Sequence, residues 1–148
     1  MKKIIILLVL LISSCGYQPI YSNKNPGKFI FNEIELIGNK EINREIISTL
    51  SIEKDTKVKT SNKLFLNSNL NIEETSKNSL GEVTSYRTTL SVELTIKDQY
   101  GTQKNKVFNK NFLYNNKENK FDLVEHQDQI KSNLVDEIIE ELLIYINL

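Results

Sequence analysis

The most constraining stretch of this sequence is residues 86–97, where Leu90, Val92, Leu94 and Ile96 alternate without a slip with Thr89, Ser91, Glu93, Thr95 and Lys97. Successive side chains of a strand point to opposite faces, so a period of two puts one face in a core and the other in water. A helix would scatter the same residues around its circumference. The chain must therefore build a sheet covered on one side only, and the rest of the sequence has to supply the cover.

Two more segments carry the same signal. Residues 64–73 place Leu64, Leu66, Leu70 and Ile72 on one side and Asn67, Asn69, Asn71 and Glu73 on the other. Residues 29–37 put Ile30, Ile34 and Leu36 on one face, opposite Glu33 and Glu35, and end at Gly38-Asn39. A fourth strand is predicted over 107–114, rich in aromatics (Phe108, Phe112, Tyr114). Gly81 and Gly101 mark the turns between the last three strands.

Helical spacing occurs twice. Asn39 is a plausible N-cap for a short helix over about 40–51, with Ile42, Ile46, Ile47 and Leu50 on one stripe. The second helix is the longest element. Asp122 is expected to cap it, with Glu125 in capping-box position. Leu123, Gln127, Ile130, Leu134, Ile138, Leu142 and Tyr145 form its stripe, widened by Val135, Ile139, Leu143 and Ile146. About 24 residues at 1.5 Å each would span roughly 36 Å, the width of a small sheet. An acidic face (Asp136, Glu137, Glu140, Glu141) argues that the stripe is core rather than a membrane-lying surface. The expected fold is α+β, a four-stranded sheet with two helices packed on one face, in the order β-α-β-β-β-α.

The first 15 residues read as an address. Lys2 and Lys3 precede a nine-residue apolar run over 4–12, too short to span a bilayer, which takes about 20 residues. The run ends Ile12-Ser13-Ser14-Cys15, the pattern of a bacterial lipobox: an aliphatic residue, two small residues, then cysteine. The thiol of Cys15 accepts a diacylglyceryl group, and the small side chains give the peptidase access to the bond before it. Two or three acyl chains hold a protein on a bilayer where one is marginal. Gly16, rather than an aspartate, follows the cysteine and favours export to the outer membrane. The predicted organisation is a signal peptide over 1–14, a lipidated tether over 15–28 carrying Pro19 and Pro26, and one α+β domain over 29–148.

Composition excludes several roles. The 148 residues carry 19 basic and 19 acidic side chains, and without 1–14 the balance is 17 to 19, a net charge of −2. A nucleic-acid binder needs excess positive charge to neutralise phosphates, and none is present. One cysteine and one histidine (His126) allow no disulfide within the chain and no Cys- or His-built metal centre. There is no nucleophile elbow and no glycine-rich phosphate loop, so the expectation is a non-enzyme without a metal or a cofactor.

The lipobox followed by Gly16-Tyr17-Gln18-Pro19-Ile20-Tyr21 resembles the opening of the lipopolysaccharide-assembly lipoprotein (LptE) family in its alphaproteobacterial form, C-G-[FY]-x-P-[LI]-Y. The resemblance continues in the Gly81 turn leading into a Tyr/Arg-led alternating strand, in the Gln99-Tyr100-Gly101 turn, and in an aromatic strand that runs into a long C-terminal helix. It implies an outer-membrane, periplasm-facing lipoprotein that assembles with and plugs the LptD-type β-barrel and assists lipopolysaccharide delivery to the outer leaflet. Membrane attachment would run through the N-terminal acyl chains. The family's contacts with lipopolysaccharide phosphates would fall here on Arg87, Lys97, Lys104, Lys106 and Lys110. The alternative is a periplasm-facing lipoprotein with another lipid-binding or envelope-assembly role, which a ligand-sized apolar pocket between sheet and helices would mark.

Overall fold

The computed structural model describes residues 28–57 and 62–147. The signal peptide, Cys15 and nearly all of the tether lie outside the described residues. Among the described residues the chain forms a mixed four-stranded sheet, a two-stranded sheet beside it, and two helices. In chain order these are β1 (Phe29–Phe31), β2 (Glu33–Gly38), α1 (Lys40–Thr49), β3 (Ile52–Lys54), β4 (Lys63–Lys77), β5 (Val83–Lys97), β6 (Gln103–Asn115) and α2 (Lys120–Ile146).

The main sheet has the order β2-β4-β5-β6, parallel between β2 and β4 and antiparallel elsewhere. This is the expected α+β architecture. Pairing aligns Leu64 with Ile96, Leu66 with Leu94 and Leu70 with Leu90, so the even-numbered positions share the covered face. Leu64, Leu66, Leu90, Val92 and Leu94 there are at most 1% exposed, closed over by Ile42 and Ile46 of α1, by Leu50 at its C-cap, and by Ile130, Leu134, Val135, Ile138 and Leu142 of α2. Both predicted helical stripes are thus core. α2 runs about 40 Å at 1.5 Å per residue, whereas the ten residues of α1 cover only the half of the sheet beside β2.

The single predicted first strand is two strands. The chain bends at Asn32, whose backbone N–H bonds the Asn62 carbonyl at 2.8 Å and whose side chain accepts from the Asn62 N–H at 3.2 Å. Phe29–Phe31 pairs with Ile52–Lys54 in the small parallel sheet and Glu33–Gly38 joins the large one. The bend breaks the alternation, so Phe31 enters the core at 6% exposure while Ile30 stays 41% exposed. No glycine or proline marks this break, which is why periodicity ran through it. Helix α2 starts two residues before the expected cap: the Asn119 side chain accepts from the Phe121 N–H at 2.9 Å, and Asp122 sits in the first turn, where its charge complements the helix dipole. The Asn39 cap is as expected, accepting from the Glu41 and Ile42 N–H groups, both at 3.1 Å.

The two long hairpins are built alike. Asn78 and Asp98 each accept, on Oδ1, the N–H groups two and four residues on, and a glycine with φ near +83° (Gly81, Gly101) completes each turn. The turns carry Leu80 and Tyr100 outward, more than 80% exposed, at opposite ends of the sheet.

Candidate interaction surface

With both helices on one side, the other face of the sheet is open. Its centre is β5, where Thr89, Ser91 and Thr95 present hydroxyls and Glu93 a carboxylate. Asparagines flank them on both sides: Asn71 and Asn111 beside Thr89, Asn69 and Asn109 beside Ser91. All seven asparagines of β4 and β6 lie on this face. Strand β6 segregates the two residue types strictly, with lysine at 104, 106 and 110 facing the helix side and asparagine at 105, 109 and 111 facing the open side.

Formal charge is confined to the rim of this face, apart from Glu93. At one end Arg87 pairs with Glu73 at 3.0 Å. At the other the Lys97 ammonium lies 4.9 Å from the Phe65 ring centroid, and Lys63 pairs with Glu33. The hydrogen bond and charge of Lys63 hold the Glu33 carboxyl below its ordinary value. Glu93 and Thr95 both accept from the Asn105 Nδ2, at 2.8 Å each. Beside them opens a recess of about 280 Å³ lined by Ile37, Phe65, Asn67 and Gln103 among others. The amides of Asn69, Asn71, Asn109 and Asn111 bond no other side chain among the described residues. The middle of the face is therefore a hydrogen-bonding wall of amides and hydroxyls around one carboxylate, Glu93, with exposed apolar side chains (Ile37, Val107, Leu113) on the outer strands.

The five basic residues singled out for phosphate contact are not brought together. Arg87 and Lys97 stand on the open face at opposite ends of β5, while Lys104, Lys106 and Lys110 stand on the helix side of β6. Lys110 bridges Glu141 at 2.7 Å and Glu137 at 3.5 Å on α2. Its pKa is raised chiefly by the hydrogen bond it donates to Glu141. Lys106 lies over the rings of Phe108 and Tyr145 at 4.8 and 5.2 Å. Lys104 makes no ion pair among the described residues and lines a cavity of about 350 Å³ with Lys28, Phe29, Ile96, Tyr145 and Ile146. This side-assignment was readable in principle: the five-residue turn over 98–102 fixes the β5–β6 register, and register fixes parity.

Helix α2 is tied down by Lys131, which reaches Glu41 of α1 at 3.3 Å and Asp128 at 3.5 Å. Burial works against its charge, yet the two carboxylates outweigh that and raise its pKa. His126, the one histidine, meets the Tyr114 ring edge-on at 5.6 Å. No group of three or more metal-ligating side chains is gathered among the described residues, and no described helix is long and apolar enough to cross a membrane. Cys15, the lipobox residues Ile12, Ser13 and Ser14, and Gly16 lie outside the described residues.

No family model and no curated protein matches the chain by sequence. Solved structures do match. Rare lipoprotein B from Shewanella oneidensis superposes with a TM-score of 0.61 at 13% identity, covering 78% of this chain and 94% of that one. The chain shares its fold. A minor lipoprotein from Acinetobacter baumannii gives 0.53 at 10% identity (78% and 90% covered), and lipoprotein B from Nitrosomonas europaea 0.52 at 11% identity (81% and 86%). At such identities the likeness is one of backbone architecture, which survives when nearly every side chain has changed.

Proposed function

We propose that this chain is an outer-membrane lipoprotein, anchored through acyl chains on Cys15 and facing the periplasm, that assembles with and plugs an LptD-type β-barrel and assists lipopolysaccharide delivery. The role is one of binding and assembly without catalysis. The observation that carries the reading is the open sheet face. An open sheet face rich in amides and hydroxyls finds a complement in the lumenal wall of a large barrel, since barrel interiors are polar. The fold is one found in bacterial lipoproteins, and the lipobox and its Gly16-Tyr17-Gln18-Pro19-Ile20-Tyr21 continuation point the same way. Anchoring plug and barrel in one bilayer raises their effective concentration for each other without any new contact.

The reading is tested by affinity purification of the acylated protein from detergent-solubilised outer membrane, beside a Cys15→Ala variant. The expected result is a large, heat-modifiable β-barrel recovered with the wild type. A protein that comes down alone would remove the plug role and leave the reading of an anchored lipoprotein with another lipid-binding or envelope-assembly task.

A further inference from the structure

The covered face of β6 poses a specific question. At positions 104 and 106 its neighbours across the ladder are Ile96, partly buried against the core, and Leu94, buried in it, yet β6 carries lysine at both. Lysines there lay their methylene stems on apolar surface and deliver their amines to its edge. Around Lys104 that edge is the 350 Å³ cavity already described. Phe29, Ile96, Tyr145 and Ile146 give it an apolar lining, and Lys28 and Lys104 give it two amines. The volume is in the range of small-ligand sites, roughly 300–1,000 Å³.

The charges in the lining favour an anion. Lys104 has no ion-pair partner among the described residues, and Lys28 has one exposed pair, with Glu53 at 2.8 Å, of a kind that exchanges readily for another anion. The single lining carboxylate, Asp98, keeps its charge with Oδ1 held by the N–H groups of Tyr100 and Thr102 at 2.9 and 2.8 Å, so the two amines leave the lining net positive. The cavity also lies at a particular end of the molecule. Lys28 is the first described residue and stands 13 positions after Cys15, a stretch that reaches at most about 45 Å. The opposite hairpin lies a further 15-residue strand away, about 50 Å along β5.

From these observations we infer that the cavity between the start of β6, β1 and the end of α2 is a binding site for an anionic glycerophospholipid, with the phosphate between Lys28 and Lys104 and an acyl segment against Phe29, Ile96, Tyr145 and Ile146. The choice of a membrane lipid as occupant rests on the anchored reading above. The site would hold the tethered end of the domain against the leaflet that carries the anchor and so fix its orientation.

The test uses the mature chain with Cys15→Ala, which has no acyl chain of its own, so that a failure of lipidation in the cell and a failure of this site are separate results. Soluble dihexanoyl-phosphatidylglycerol is titrated while backbone amide shifts are followed by NMR, with dihexanoyl-phosphatidylcholine and inorganic phosphate as parallel probes. The expected result is saturable shifts centred on Phe29, Ile96, Lys104 and Tyr145, with phosphatidylcholine at least fivefold weaker. Lys104→Glu should weaken phosphatidylglycerol about tenfold or more, while Arg87→Glu leaves it unchanged. Lys104 is exposed, and the same spectra report whether the variant stays folded. Shifts centred elsewhere, equal binding of the two lipids, or the same shifts from inorganic phosphate alone would each overturn the inference.

Discussion

Replacing Gly38 by alanine probes the joint between β2 and α1, on which the position of the first helix depends. Gly38 has φ +86°, and a Cβ built there would lie 2.0 Å from the backbone carbonyl oxygen of Ser68. That oxygen accepts the Asn39 N–H at 2.9 Å, and the Ser68 hydroxyl donates to the Asn39 carbonyl at 3.2 Å. An alanine must therefore hold a left-handed backbone, which costs about 1–2 kcal/mol, and push β4 away. Losing the two hydrogen bonds adds about 1 kcal/mol each, for a total of about 3–4 kcal/mol. Gly81 is the matched control: its φ is +83°, but a Cβ there meets nothing within 4 Å. Gly81→Ala should cost only the backbone strain, about 1–2 kcal/mol. In urea unfolding with a slope near 1.5 kcal/mol/M, the midpoint should fall by about 2–2.7 M for Gly38→Ala and about 0.7–1.3 M for Gly81→Ala. Equal losses for the two variants would refute the close approach of β2 to β4 as the source of the effect.

Other expectations follow from single contacts. Leu94→Ala, at 1% exposure on the helix-covered face of β5, should cost about 2–5 kcal/mol by leaving a cavity, read as a lower urea midpoint with an unchanged slope. Asn119→Ala removes the acceptor for the Phe121 N–H and should cost about 1 kcal/mol, with faster amide exchange confined to the first turn of α2. The Lys63 hydrogen bond lowers the pKa of Glu33, so the stability this pair contributes is present above the carboxyl's ordinary value of 4.5 and is lost as pH falls through its lower folded value. Lys63→Met should accordingly lose less stability than the wild type between pH 6 and pH 3. The pair is exposed, so the difference should be small and shrink in high salt.

Much of this fold was legible because one face of the sheet is dry. The alternation in β5 and in the first half of β4 is enforced by burial against α1 and α2, and sequence shows it plainly. It fades where burial stops. β4 continues through Glu73, Glu74 and Thr75 to Lys77, and β6 begins at Gln103, stretches held by ladder hydrogen bonds that demand no particular side chain. The bend at Asn32 and the three-residue β3 escaped for the same reason: each rests on a few backbone bonds, notably Asp55 N–H to Phe31 O at 3.0 Å. The candidate surface divides likewise. The polar face could be read from parity within single strands, whereas the splitting of Arg87 and Lys97 from Lys104, Lys106 and Lys110 depends on a register that links two strands. The cavity at Lys104 joins residues from positions 28 to 146, and no local pattern announces it.

The central claim, that the open face meets a barrel wall, is most directly tested by a photo-crosslinking amino acid placed at Ser91, the middle of that face, in the acylated protein in intact cells. The account predicts a crosslink from Ser91 to a large, heat-modifiable outer-membrane β-barrel. A protein that is acylated and folded, with the barrel present, yet gives no such crosslink would contradict it.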